Sequence, residues 1–547
     1  MSNLIILSFL SIIVVTPLGS YFVNSNDRSI LNYSKHLIYG FIFLSFFALL
    51  LNFIFPLNKF INTIFLLVPI SIIIKKKSFF FNYNFLKFII LNSIIICLLI
   101  AKSEVYRPDA YLYHLPFIDI LNHNKIIVGL SNLHFRFGHV SIIQYTSSIL
   151  NNFIFLTNGI FFSIAIIASS IIINFLAHLF NSIKQNKYNL HFFFIFFVII
   201  FISYKMNRYS EYGNDAPTHF LFFFLVSEIL YTLNNKNNYF PKLVLISAFI
   251  LMNKITMIFA IILPFLIVKK YSKFIFFNRT NYFTALFLFL WFLKNIITSG
   301  CIIYPVKNLC FSHLIWSDVE LVEKVSIENE AWTKGWIDQT GINKYNQKDY
   351  SKNFNWIDTW SGGHLKKINS IMYPYLIFSL IIISTIFIKS KKKLNKDHSL
   401  THIYLLVLLT IFSVIWILKV PVYRYGYSYS VSLICLFFSV LCSTRQNLQN
   451  IKIFKFIILF TITVFISKNL IRIVDFQDKY SKKIWPKIKL FENDSEKIRL
   501  INIDNFEYFE SKTECGYGYA PCTNYKNLKL KSSSHFSYTR LINSNKK

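Results

Sequence analysis

The feature that most constrains this chain is a succession of apolar runs, each roughly 16 to 25 residues long and each closed by a charged interruption. A helix rises 1.5 Å per residue, so one such run covers about the 30 Å of a bilayer's hydrocarbon core. A barrel would instead alternate apolar and polar residues. With 547 residues, a mean hydropathy of +0.48, 54% hydrophobic residues and 15% charged ones, the chain has too little charge to cover a water-facing surface. The expectation is an all-α integral membrane protein, a polytopic bundle of about 12–14 transmembrane helices by the length rule.

The net charge of +32 does not point to nucleic acid. The Lys and Arg residues stand in short clusters between apolar runs rather than on one face, so they are better used to orient the chain, since cytoplasmic loops are enriched in them. Lys75–Lys77, Lys184 with Lys187, Lys269 with Lys270 and Lys273, Lys389 with Lys391–Lys393, and Arg445 with Lys452 and Lys455 are placed inside. The organisation that follows has N-terminal helices over 1–101 and a first large extracytoplasmic segment over 102–152. Central helices over 153–298 include a short loop at 205–216 and a hairpin at 243–268. A large loop over 299–370, further helices over 371–467 and a small extracytoplasmic tail over 468–547 complete the chain. The N-terminus lacks a basic region and a small-residue cleavage site, so its first apolar run is expected to be retained as a span.

The first extracytoplasmic segment carries Glu104, Asp109 and His114 among Tyr106, Tyr111 and Tyr113. A carboxylate in such a partly desolvated setting can be tuned toward a useful base, whereas an aromatic belt with incidental polar residues explains the same pattern. Apolar patches at Phe117–Leu121, Ile126–Leu130 and Val140–Tyr145 are too short to span and are expected along the interface. Between them lie His134 and Arg136, which could bind a phosphate, since a guanidinium meets two phosphate oxygens at once; a loop-closing salt bridge is the plainer reading of Arg136. The His spacing matches no zinc signature.

The second loop brings Arg208, Glu211 and Asp215 into a few residues. Four positions apart, the two carboxylates would share a helix face and could hold a cation or orient a hydroxyl, or could pair with Arg208. Asn253-Lys254 interrupts an apolar run and is read as the tip of the hairpin, because a Lys inside the membrane is costly unless it faces a cavity or a partner. Lys294 lies about one turn below the outer surface, where it could meet a lipid-linked phosphate or snorkel to headgroups. Arg424 stands at the edge of a late loop. Five of the eight Trp residues (Trp316, Trp332, Trp336, Trp356 and Trp360) fall in the large loop, where they could stack on sugars or anchor at the interface. Cys301 with Cys310 and Cys515 with Cys522 are disulfide candidates on the oxidising side; Cys97, Cys435 and Cys442 lie in spans. The tail reads as a loosely folded appendage. No phosphate loop, Cys-x-x-Cys pair or Gly-x-Ser-x-Gly elbow is present.

Asp109, Glu211 with Asp215, Asn253-Lys254, Lys294-Asn295 with Ser299-Gly300 and Tyr304-Pro305, and Arg424, in this order from about Leu86 to Phe438, resemble the GT-C superfamily of multi-pass glycosyltransferases that use polyprenyl-phosphate-linked sugars, in a bacterial branch. The resemblance implies transfer of a sugar from a lipid-linked donor to a glycan, lipid or protein acceptor at the outer side of a bacterial cytoplasmic membrane. It implies Asp109 as the base, Glu211 or Asp215 as its helper, and Lys254, Lys294 and Arg424 as phosphate contacts. A divalent cation, Mg or Mn, is compatible with it, although Asp109 stands alone where the family has an acidic pair. A polysaccharide polymerase or ligase would depend instead on Arg in its outer loops, and a transporter or flippase would show repeated halves with matching broken helices.

Overall fold

The computed structural model describes residues 2–103, 109–139, 141–206, 212–234, 239–270, 278–336, 346–392, 400–446, 453–475, 484–486, 498–504, 506–518, 520–526, 528–535 and 538–544. Helices dominate it. Ten are long and apolar enough to cross a membrane: Ser2–Tyr21, Ile30–Ile54, Tyr83–Ile100, Leu156–Lys184, Asp215–Leu233, Arg279–Ser299, Ile357–Lys389, Leu400–Lys419, Tyr423–Ser443 and Ile453–Val474. Three shorter apolar helices, Leu190–Lys205, Phe240–Asn253 and Ile255–Val268, accompany these ten, which are fewer than the 12–14 spans expected. Polar caps mark where the apolar runs begin. Ser29, Asn82, Asn189 and Asn278 each accept a backbone N–H of the turn they open, satisfying donors that a helix end would otherwise leave bare. Gly19 and Gly40 allow the first two helices to touch backbone to backbone, since a methyl at either would strike the carbonyl of His36 or of Val15.

The apolar run after Tyr239 is broken at Lys254, whose backbone is extended. The ring of Phe240 meets that of Phe265 at 5.8 Å, so the chain doubles back at Asn253-Lys254 and the two legs lie side by side. Fourteen α-helical residues rise only about 21 Å, less than a full hydrocarbon thickness.

The segments that follow the helices Tyr83–Ile100 and Arg279–Ser299 meet at one end of the bundle, and the C-terminal tail lies among them. Strands Ile498–Ile503 and Phe506–Ser511 pair antiparallel, Cys522–Thr523 joins the second in parallel, and Leu530–His535 pairs antiparallel with Tyr538–Asn543. This tail is no loose appendage. The Gly516 N–H donates to Tyr111 O at 2.9 Å and the Gly518 N–H to a buried Asp119 oxygen at 2.8 Å, while Val128 exchanges backbone bonds with Thr539 and Leu541. Its covalent ring, Cys515–Cys522, holds the glycine turn that makes the first two of these contacts. The second disulfide, Cys301–Cys310, closes the loop after the helix Arg279–Ser299. There Gly300 takes a positive φ of 77°, and a side chain would run into Ser317, so only glycine fits.

The described residues of the short apolar patches of 117–145 pack against the rest of the protein. Helices Leu115–His123 and Ile142–Leu150 are buried inside protein, where Asn122 and Asn62 donate to backbone oxygens of Leu57 and Ser148. Their side chains are too polar on one face for lipid, and the Asn network supplies the partners that lipid could not.

Candidate functional site

Four ionisable side chains from four separate segments meet at this end. Asp109 opens a turn that leads into the buried helix Leu115–His123, and its Oδ2 accepts from Arg424 Nη2 at 3.2 Å. Arg424 lies in the first turn of the helix Tyr423–Ser443 and also faces Asp215 Oδ2, 3.8 Å from its Nε. Asp215 is the first residue of the helix Asp215–Asn234, a position that favours a carboxylate, and its other oxygen holds Lys254 at the hairpin tip. Lys254 further approaches Arg424 O at 3.4 Å and the Tyr425 ring at 4.1 Å. Two acids and two cations thus form a chain, Asp109 to Arg424 to Asp215 to Lys254. None of the four is fully exposed.

The polar frame around the chain fixes these positions. Asn253 accepts from Ser141 and donates to Thr218 Oγ1 at 2.7 Å, and Asn214 donates to Asn253 O at 3.0 Å, so the hairpin tip is tied to both the first segment and the helix that starts at Asp215. His219, one turn into that helix, reaches Arg424 O at 2.8 Å and Ser428 Oγ at 2.8 Å. His114 stands beside the chain. Gln144 Oε1 accepts the Ser141 backbone N–H, which orients the amide so that its Nε2 donates to His114 Nδ1 at 2.8 Å. The imidazole proton is therefore on Nε2, facing the neighbourhood of Gly213. Burial lowers His114 to about 4, against the pull of the Asp109 and Asp215 carboxylates, and keeps it neutral.

Arg136 completes the surroundings. Its guanidinium lies over the rings of Tyr113 at 4.8 Å and Phe135 at 5.2 Å, and no carboxylate among the described residues pairs with it. It acts electrostatically on both Tyr113 and His114, which places it at the edge of the Asp109 chain. Burial, and next the Asp109 carboxylate, raises the Tyr113 hydroxyl far above its ordinary value. Across the chain, the exposed ring of Trp332 lies 5.5 Å from the Arg424 guanidinium and 6.3 Å from the Tyr425 ring.

Several residues singled out from the sequence stand elsewhere. His134 faces the tail: its Nε2 pairs with Asn524 at 3.1 Å, its ring stacks on Tyr525, and burial lowers it to about 3. Lys254 and Arg424 are not open cations, since both are paired with carboxylates. Lys294 does not snorkel; it is wholly buried. Of the Trp residues, Trp316 and Trp360 donate to backbone oxygens of Ile296 and Pro421 and serve packing, leaving Trp332 as the ring that faces the chain. Arg208 and Glu211 lie outside the described residues. Gln144 and His219 had no sequence signal beyond being polar in apolar surroundings.

Asp109 and Asp215 each already neutralise a cation of the protein.

A family model described as a domain of unknown function (DUF8201) matches residues 1–431, a stretch that holds every member of the Asp109 chain together with Arg136 and His114. No curated protein and no solved structure matches the chain.

Proposed function

Because the chain belongs to the DUF8201 family, whose domain has no assigned function, its own side chains must supply the reading, and we propose that it is a membrane glycosyltransferase. It moves a sugar from a polyprenyl-phosphate-linked donor to an acceptor hydroxyl at the outer side of a bacterial cytoplasmic membrane, in the assembly of a cell-envelope glycan or glycolipid. The observation that carries the reading is that Asp109, at 3.2 Å from Arg424, and Arg136, a guanidinium that no described carboxylate neutralises, act on the same two groups, Tyr113 and His114. A base and an open phosphate contact in one neighbourhood are what displacement of a phosphate by a hydroxyl needs.

In this mechanism the Asp109 carboxylate takes the proton of the acceptor hydroxyl as its oxygen attacks the anomeric carbon. The bond from that carbon to the phosphate oxygen breaks, its electron pair stays with the phosphate, and configuration inverts. Arg136 meets the charge that develops on the leaving phosphate. Arg424, held between Asp109 and Asp215, keeps the base aimed, so Asp215 and Lys254 are positioning residues rather than bases. Trp332 offers an apolar face to the sugar.

The test is release of polyprenyl phosphate by the purified full chain from lipid-linked sugars extracted with a membrane fraction. Asp109→Asn should lower it by about 10²–10⁴-fold at unchanged expression and melting temperature. Full release by a folded Asp109→Asn protein would remove Asp109 as the base and the reading with it.

A further inference from the structure

Arg279 opens the helix Arg279–Ser299 at the end away from the Asp109 chain. The 21 residues of this helix rise about 30 Å before Ser299, a full hydrocarbon thickness. Tyr21, which ends the first long helix, lies beside Arg279, with the guanidinium 3.8 Å from the centre of its ring. The turn that follows Tyr21 is tied to the basic cluster at Lys75–Lys77, since Lys76 Nζ donates to Ser25 Oγ at 3.0 Å. Clusters of this kind mark the cytoplasmic side, so Arg279 stands at the inner surface of the membrane.

Next to Arg279 the helices leave a groove. Its volume is about 520 Å³, within the roughly 300–1,000 Å³ that sites for small molecules occupy. The floor is aromatic. Phe46 and Phe283, both buried, meet there at 4.5 Å, and the Tyr21 ring closes one end at 5.7 Å from Phe283. The rim is open, because Tyr282 and Leu286 are exposed. Arg279, Tyr282 and Leu286 follow one another at helical spacings of three and four, so a charge, an amphipathic ring and an aliphatic side chain line one stripe from the membrane surface inward. No carboxylate among the described residues pairs with Arg279, and its charge is left for a ligand to meet.

We propose that this groove holds one anionic phospholipid of the inner leaflet, its phosphate on Arg279 and an acyl chain along Phe283 and Leu286. The polar and apolar parts of the site come in the order in which a lipid of that leaflet presents them, head at the surface and chain toward the midplane. A free anion would leave the aromatic floor unused, and a bare hydrocarbon would leave the guanidinium unmet. Net charge separates the lipids of a membrane at such a site. The headgroup of phosphatidylglycerol brings a negative charge, whereas the ammonium of phosphatidylcholine cancels that of its own phosphate. The site stands whether or not the chain transfers a sugar, because none of its lining residues belongs to the Asp109 chain.

Native mass spectrometry tests this on the purified full chain, delipidated in detergent and titrated with palmitoyl-oleoyl-phosphatidylglycerol or with the phosphatidylcholine of the same chains. The wild type should hold its first phosphatidylglycerol about fivefold or more tightly than phosphatidylcholine. Arg279→Gln should bring phosphatidylglycerol down to the level of phosphatidylcholine, and Arg279→Lys, which keeps the charge, should preserve most of the preference. Leu286→Trp, which fills the groove from an exposed position, should weaken both lipids while the lipid-free protein melts as the wild type does. Equal retention of the two lipids by the wild type, a preference that survives Arg279→Gln, or phosphatidylglycerol binding untouched by Leu286→Trp would each overturn the proposal. So would a dimer of the chain that Leu286→Trp disrupts, since the groove would then belong to a second copy.

Discussion

At one end of the bundle Lys35 and Glu228 face each other at 2.8 Å, with 12% and 2% of their side chains exposed and the rings of Tyr231 and Tyr239 about the ammonium. At the other end Asp109 and Arg424 face each other at 3.2 Å, with 24% and 27% exposed, inside a chain that continues to Asp215 and Lys254 and has Arg136 at its edge. The same helix carries a member of each: Asp215 opens it, and Glu228 lies thirteen residues and about 20 Å further along. The first cluster is closed, a nearly buried pair with Lys242 close by over the same Tyr239 ring. The second is open, with carboxylates reachable from the end where the loops gather. A sealed pair can hold helices together, but only a reachable one can exchange a proton with a substrate.

The comparison breaks most decisively through activity. Asp109→Asn is expected to cost about 10²–10⁴-fold in transfer, whereas Glu228→Gln should leave the rate of the folded protein within about twofold, as a residue remote from the chemistry does. If Glu228→Gln abolished release of polyprenyl phosphate while the protein stayed folded, the closed pair would be part of the chemistry. The closed pair should show itself in stability instead. Glu228→Gln leaves the Lys35 ammonium buried and alone and should cost about 3–5 kcal/mol, read as a lowered melting temperature in detergent. Replacing both partners, Lys35→Met with Glu228→Leu, should recover most of that loss, because no uncompensated charge then remains.

A smaller effect sharpens the contrast from the open side. Both disulfides of the structure lie at that end, and the three free cysteines lie within helices. Cys515→Ser with Cys522→Ser removes the ring that presents Gly516 and Gly518 to Tyr111 and Asp119. A loop of this size gives a stabilisation at the low end of the usual range, about 2 kcal/mol. Limited proteolysis should cut the tail of the variant first and leave the helices, including the Lys35–Glu228 pair, intact. Cleavage at the same rate as the wild type would mean that the strands alone hold the tail.

What could be read in the sequence was the cost of single residues, not their pairing. Asp109, Asp215, Lys254 and Arg424 each stand out as charges beside apolar runs, and a charge in such a place needs a reason. Their meeting is tertiary: Asp109 and Arg424 are 315 positions apart, and no local period connects them. The long helices were legible because the bilayer demands a length that composition alone displays. The tail was not, since its mixed short stretches gain order only from Val128, Tyr111 and Asp119 of a segment some 400 residues earlier. The partner of His134 was hidden for the same reason; nothing near it in sequence announces Asn524. Gln144 left no signal at all, being one polar residue within a buried helix, although it sets the tautomer of His114.

The smallest expected effect concerns the imidazoles of the open end. Burial lowers His114 to about 4 and His134 and His139 to about 3, each below the 6.5 of an unfolded imidazole. Between these values the unfolded chain binds a proton that the folded chain refuses, so stability rises with pH there. It is complete above about pH 6.5 and declines as the medium is acidified toward pH 4. Acidification from pH 7 to pH 5 should lower stability by roughly 1–2 kcal/mol per imidazole, and the loss should begin where the loops and tail pack. His134→Gln, which can still donate to Asn524, should remove one share of this dependence. The melting temperature of that variant should therefore fall less steeply with acid than that of the wild type. An identical pH profile would show that His134 takes up its proton without opening the tail, and that the open end accommodates charge even where it is buried.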